Sequence, residues 1–239
     1  MPTKADLLLE KRRYGLPEVV SELELKLLAQ DMPVQKIIGY IEMQEVKIQV
    51  SRNVLIPRYE TEELILWVKE DLKSSFNLRI LDLCTGSGFI GLALKKTLPN
   101  NFLILSDISD QAILQARENA NLNNLEVEII KSDLFSNLQK NSYDVIVSNP
   151  PYLIESEVLS KSVLNYEPHE ALFARDNGLY FYKEIIKNAP EYLKDQKGVL
   201  YFEINPLHEE FWISLAKELK IELRKDINNR LRMAKITFE

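Results

Sequence analysis

Asn149-Pro150-Pro151-Tyr152 places an amide, two rigid prolines and an aromatic ring in four consecutive residues. At usages of about 3–5% per residue, this order arises by chance roughly once per thousand chains of this length. It follows the apolar run Tyr143-Asp144-Val145-Ile146-Val147-Ser148, which reads as a buried strand. Loops at the carboxyl ends of strands in an α/β sheet are where ligands bind. An Asn ahead of two prolines in such a loop suits the immobilisation of a planar –NH2 group while its nitrogen attacks an electrophile. Asn-Pro pairs also initiate ordinary turns, so the chemical reading needs a second motif.

Ile80 to Gly91 supplies one, with the shape of a strand, a glycine-rich turn and the first turn of a helix. Gly86 and Gly88 can adopt positive φ and admit a ligand close to the backbone, and Gly91 permits tight helix–strand packing. Gly86-x-Gly88-x-x-Gly91 matches the dinucleotide fingerprint, which alone is weak. Asp107 ends the next apolar run about twenty residues on, where an acid accepts hydrogen bonds from ribose hydroxyls. NAD and S-adenosylmethionine (SAM) both carry such a ribose. Two features favour SAM. Asp82 precedes the glycines, where its charge could face the cationic methionine end of SAM, while a pyrophosphate would gain nothing from it. The Asn-Pro-Pro-Tyr loop, moreover, has no obvious part in hydride transfer.

Those two loops need a scaffold, and 239 residues suffice for one large domain with a substantial core. The apolar fraction of 46% and charged fraction of 28% fit a globular enzyme. A net charge of −6 argues against a non-specific nucleic-acid binder. Arg224, Lys225, Arg230, Arg232 and Lys235 cluster near the C-terminus and read as a solvated face. One cysteine, Cys84, excludes an internal disulfide framework and reads as a small residue packed in the glycine turn. With only His169 and His208, neither a His-rich metal site nor a Ser-His-Asp triad is expected. No signal-type segment or membrane span is legible, so a cytoplasmic protein is expected.

Residues 1–36 read as a short helical segment whose second helix is opened by Pro17, and 37–57 as a β-hairpin linker. Residues 58–239 read as the catalytic domain. A helix is expected from about Glu60 to Lys73. Beyond residue 77, strands near 78–83, 102–107, 126–131 and 143–148 alternate with helices near 88–98 and 109–122, the signature of a parallel sheet. The polar stretch 153–176 is too long for an ordinary connection and is a candidate substrate lip. A helix at about 178–193, a strand at 198–204, a helix at 207–219 and a terminal strand pair complete a seven-stranded, doubly wound, mostly parallel sheet.

With these residues in place, the chain resembles the PrmC/HemK family, the release factor glutamine methyltransferases, over roughly residues 33–239. Beside the two loops, Leu55-Ile56-Pro57-Arg58-Tyr59-Glu60-Thr61-Glu62 is similar to the family's Pro-Arg-Pro-Glu-Thr-Glu element, with Tyr59 in place of its second proline. Glu167-Pro168 with Ala171-Leu172 resembles its Glu-Pro-x-x-Ala-Leu segment, and Asp176 through Tyr182 its Asp-Gly-Leu…Tyr helix start. Gly39 matches the hairpin region and Asp226…Arg230 the C-terminal Asp…Arg element. The segment before the hairpin is much shorter than the family's helical domain.

The resemblance implies a class I SAM-dependent fold, SAM as cofactor, and class I peptide chain release factors as protein substrates of a monomeric enzyme that holds no stable nucleic acid. It places SAM on Cys84, Thr85, Gly86, Ser87, Gly88 and Asp107, with Leu134 over the adenine. Asp133, just after the third strand, reads as bonding the adenine amino group or capping a turn. Asn149, Pro150, Pro151 and Tyr152 would hold the target glutamine. Asn149 Oδ1 and the Pro150 carbonyl would each accept one amide N–H, and Tyr152 would offer an aromatic face. Glu167 would bond the pocket wall, and Arg58 would meet either the SAM carboxylate or a neighbouring acid. Three rivals remain: a glutamine methyltransferase of a ribosomal protein, an exocyclic-amine DNA or RNA methyltransferase that flips out its base, and an NAD-dependent oxidoreductase.

Overall fold

The computed structural model describes residues 1–239. Its centre is a seven-stranded sheet built from β3 (Arg79–Leu83), β4 (Phe102–Asp107), β5 (Glu128–Lys131), β6 (Val145–Ser148), β7 (Gly198–Glu203), β8 (Ile221–Lys225) and β9 (Leu231–Phe238). The spatial order is β5-β4-β3-β6-β7-β9-β8. The first five of these are parallel, while β9 runs antiparallel to both β7 and β8. Strand order reverses between β3 and β6, so a crevice opens beyond their carboxyl ends. The glycine turn leaves one of these ends and Asn149 the other.

Side-chain alternation divides the core into two layers. Ile80, Leu103, Leu105, Val145 and Val147 pack toward α4 (Tyr59–Leu72) and α5 (Phe89–Thr97). Leu81, Leu83, Ile104, Ile146, Leu200 and Phe202 face the opposite layer, with Tyr182 from α8 (Tyr180–Tyr192) and Trp212 from α9 (Glu209–Leu215). A side chain at Gly91, on α5, is sterically excluded: a Cβ there would lie 2.6 Å from Leu105 Cδ1.

The N-terminal segment holds three helices, one more than the sequence predicts. These are α1 (Lys4–Arg13), α2 (Glu22–Ala29) and the five-residue α3 (Val34–Ile38), which ends on Gly39 at φ +92. Pro17 does not open α2. Ser21 caps it, in a capping box with Glu24. Leu7, Leu28 and Val34 form a small apolar cluster of their own. Tyr59, at the position where the resemblance expects proline, donates to Glu10 Oε1 (2.8 Å) and so ties α1 to the start of α4.

The hairpin β1 (Tyr40–Met43) and β2 (Val46–Gln49) pairs Ile41 with Ile48 and Met43 with Val46, all four buried in the main core. Asn119 and Asn123, on and just past α6 (Asp110–Leu122), accept from Gln49 N (2.8 Å) and Lys47 N (2.9 Å). Asn119 Nδ2 also donates to Ser87 O (2.8 Å), so one side chain fixes both the hairpin and the glycine turn. The stretch 153–176 has structure of its own, a short helix α7 (Lys161–Tyr166) and a single 3-10 turn, His169–Ala171. No helix is long and apolar enough to cross a membrane.

Candidate active site

A cavity of ≈ 380 Å³ occupies the crevice, a size that suits a cofactor or drug-sized ligand. Its floor is the turn Cys84, Thr85, Gly86 and Ser87, with Asp107 beside it. A Cβ built on Gly86, which sits at φ +56, meets nothing within 4 Å, so the bare backbone faces open cradle space. Asp107 accepts from Gly86 N through Oδ2 and from Ser109 N through Oδ1, both at 2.9 Å. Each oxygen retains a lone pair, which two ribose hydroxyls would use. Burial raises the Asp107 carboxyl above its ordinary value, and the three main-chain N–H groups around it oppose that shift.

Asp133 and Leu134 line the far wall, with Leu134 held at φ +43. Pro168, Glu170 and Ala171 bring the lip to the mouth, and Tyr180 and Phe181 add aromatic surface. The donors, the carboxylate and the apolar walls fit SAM, whose ribose, adenine and methionine parts need those three surroundings.

Asp82 departs from its expected place. It is fully buried and absent from the cavity wall, because residues 80 and 82 point into the α5 layer. Its Oδ2 accepts from Thr85 Oγ1 (2.5 Å) and Gly91 N (2.8 Å), bracing the glycine turn from beneath, while Oδ1 has no partner. Gly88 is likewise off the wall, serving as the positive-φ N-cap of α5.

Burial pushes Asp82 up to about 7, against the Thr85 and Gly91 hydrogen bonds. The unfolded value is near 3.9, so the native state binds the extra proton between these limits. This group's stabilising contribution is therefore full below about pH 4 and is lost as pH rises through 7. Between pH 5 and 8 the wild-type chain should lose about 3 kcal/mol more unfolding free energy than Asp82→Asn. Parallel urea-denaturation curves for the two at both pH values would show that Asp82 titrates normally.

Cys84 sits at φ +63 on the cavity floor. Burial, with the Asp107, Asp82 and Asp133 carboxylates, pushes its thiol well above the usual range. It should therefore resist iodoacetamide at pH 8 in the folded protein and react readily in urea. Equal labelling rates in both states would contradict that environment.

The other half of the site is built around Asn149, which lines the cavity with Pro151. Asn149 Nδ2 donates to Glu203 Oε2 at 2.9 Å, and to Thr61 Oγ1 at the limit of 3.5 Å. Thr61 Oγ1 donates to the same Glu203 oxygen (2.6 Å), and Tyr152 Oη donates to Glu203 Oε1 (3.0 Å). Burial raises the Glu203 carboxyl, and the hydrogen bonds from Thr61 and Tyr152 and the charge of Arg232 work against it. Pro150 and Tyr152 do not line the cavity. The Tyr152 ring stacks on Tyr182, at 6.5 Å and 11°.

Glu167 is 4% exposed and also lies off this wall. It accepts from Ile56 N (2.9 Å) and Arg58 Nη2 (2.7 Å), clamping the Pro-Arg element to the lip. Arg58 thus meets a neighbouring acid. Of the basic C-terminal cluster, Arg224, Lys235 and Arg232 are ion-paired with Glu70 and Glu222, Asp71, and Asp226 respectively. Sequence reasoning missed two residues, Glu203 and Thr61. Glu203 showed only as an acid at the end of an apolar strand, while Thr61 lay inside the Pro-Arg-x-Glu-Thr-Glu element without a role of its own.

A family model described as "Methyltransferase small domain" matches residues 64–166. Three solved structures share the fold at 16–20% identity. The catalytic domain of human Mettl16 in complex with an RNA hairpin has a TM-score of 0.61, covering 100% of this chain and 92% of that one. A ribosomal protein L11 methylase from Lactobacillus delbrueckii has a TM-score of 0.56 (80% and 84%). A T. thermophilus 16S rRNA methyltransferase in complex with AdoMet and guanosine has 0.60 (84% and 50%). Closer in sequence, the release factor glutamine methyltransferase of Flavobacterium psychrophilum is 41% identical over 91% of this chain and 79% of its own length. That of Streptococcus pneumoniae is 47% identical over 74% and 63%. With 41% identity over 91% of its length, the chain belongs to the release factor glutamine methyltransferases and is a class I SAM-dependent enzyme.

Proposed function

We propose that this enzyme methylates the side-chain amide nitrogen of the glutamine in the Gly-Gly-Gln motif of class I peptide chain release factors. The observation that carries the reading is the orientation of Asn149. Its –NH2 is committed to Glu203, which leaves Oδ1 to accept an N–H from the target amide. The Pro150 carbonyl, which accepts no main-chain hydrogen bond within the chain, would take the second.

A glutamine amide nitrogen is a poor nucleophile because its lone pair is delocalised into the carbonyl. Fixing both hydrogens favours local pyramidalisation and aims the lone pair into the cofactor cavity. Bound SAM supplies an electrophilic sulfonium methyl. Asp107 and the glycine turn hold the cofactor, while Asn149 and Pro150 hold the target, so positioning can supply much of the roughly 7–11 kcal/mol available to well-oriented reactants. Transfer to the neutral amide would leave a neutral thioether and a nitrogen that carries the positive charge and both hydrogens; that N-protonated amide is strongly acidic and loses one proton to water without a dedicated base.

The same reading has the enzyme act as a monomer in the cytoplasm without stable nucleic-acid binding. Pairing of Arg224, Arg232 and Lys235 with acids supports that last point. Tritiated SAM offered with release factor, ribosomal protein or DNA, followed by peptide mapping, tests the substrate. Label is expected on the Gly-Gly-Gln peptide and should vanish when that glutamine is changed. Label on DNA, or on ribosomal protein alone, would refute the assignment. Calorimetry should also show heat from SAM and none from NAD.

A further inference from the structure

We propose that Glu203 is the positioning residue that sets the Asn149 amide, selecting the orientation in which Oδ1, not Nδ2, faces the target –NH2. The inference rests on Asn149 being the acceptor for that group, whichever macromolecule carries it. A side-chain amide is nearly symmetric in shape, and only its partners distinguish its two ends. A carboxylate accepts and cannot donate. With Glu203 Oε2 at 2.9 Å from the buried end of Asn149, the reversed amide would set two oxygens against each other without a hydrogen between them.

Glu203 is itself held from three directions. Thr61 reaches it from α4, Asn149 from the first residue of the loop and Tyr152 from the fourth. At 1% exposure the carboxylate has no water to take the place of these donors. The Tyr182 hydroxyl bonds the Glu203 main-chain carbonyl (3.1 Å), which fixes the backbone beneath it. Glu203 also ends β7, next to β6 in the parallel sheet, with Phe202 in register opposite Ser148. The pairing fixes the backbone from which each side chain leaves. Glu203 therefore acts on the reaction through the residues it holds, Asn149 above all, and not by lining the cavity itself.

The test assays whichever substrate the wild-type enzyme labels, so a wrong substrate assignment does not touch it. Glu203→Met removes both acceptor oxygens at similar length and should lower kcat about 10–100-fold, the range for residues that orient a functional group through another. SAM affinity by calorimetry should stay close to wild type, because Glu203 does not line the cofactor cavity. A donor–acceptor exchange supplies the readout a structural role would not give. Asn149→Asp alone sets two carboxylates together and should be inactive. Adding Glu203→Gln returns a donor facing an acceptor while an oxygen at 149 still faces the target. The double variant should then be at least about tenfold more active than Asn149→Asp, per SAM-binding site.

Wild-type turnover in Glu203→Met would overturn the proposal. So would a double variant that binds SAM yet is no more active than Asn149→Asp. If Glu203→Met fails to fold, the comparison between Asn149→Asp and the double variant decides alone.

Discussion

Replacing Asn149 by alanine is expected to abolish measurable methyl transfer while leaving the protein able to bind SAM within a few-fold. The substitution removes the acceptor for the target amide, and loss of one preorganised hydrogen-bonding group at a reacting centre costs about 10²–10³ in kcat. Here the loss compounds, because Thr61 and Glu203 lose a shared partner and the loop loses its tie to α4. The glycine turn lies across the cavity and keeps its own support from Asp82, Asn119 and Asp107. Single-turnover assays at saturating SAM, paired with calorimetry, separate the two effects. Near-normal turnover in Asn149→Ala would remove the positioning mechanism altogether.

The second large effect should appear in affinity. Asp107→Ala deletes the two ribose acceptors, worth about 1.5–3 kcal/mol each when charge-assisted, so SAM should bind at least a hundredfold more weakly. It also frees Gly86 N and Ser109 N, which loosens the cavity floor. Asp107→Asn keeps one oxygen as an acceptor and should fall between the alanine variant and wild type. An unchanged SAM dissociation constant in Asp107→Ala would move the ribose site elsewhere.

These effects differ in how far each could be read from sequence. Asp107 stood out by its place at a strand end, about twenty positions past a glycine turn, and the structure sets it beside that turn in the cavity. Asn149 stood out through the two prolines and the aromatic ring that follow it. Glu203 was hidden by distance along the chain, since its partners lie 54, 51 and 142 residues away. Nothing local to Tyr201-Phe202-Glu203 announces a carboxylate with three donors. Asp82 was assigned to the wrong face, although the alternation of Ile80 and Asp82 against Leu81 and Leu83 contains the correction.

The sheet strands lie where their apolar runs predict, to within two residues. Shorter elements fared worse. The α3 helix has too few residues to show a period, and α9 stops at Leu215 where the sequence pattern runs on to 219. At α2, the proline signal at Pro17 outweighed the Ser21-x-x-Glu24 capping box that starts the helix.

The hydrogen bond from Thr61 to Glu203 spans 142 residues, and this has a consequence for biosynthesis. A chain emerging from the ribosome completes its N-terminal portions first. The β3 strand, the glycine turn and Asp107 are all present before residue 110. The carboxylate that orients Asn149 arrives only when β7 is made, and loop closure over such a span forms late in folding. A nascent or C-terminally truncated chain ending before residue 203 therefore contains the glycine turn, Asp107 and Asn149 but lacks the carboxylate to which the Asn149 amide donates. Reactivity toward the target is the last property this polypeptide acquires.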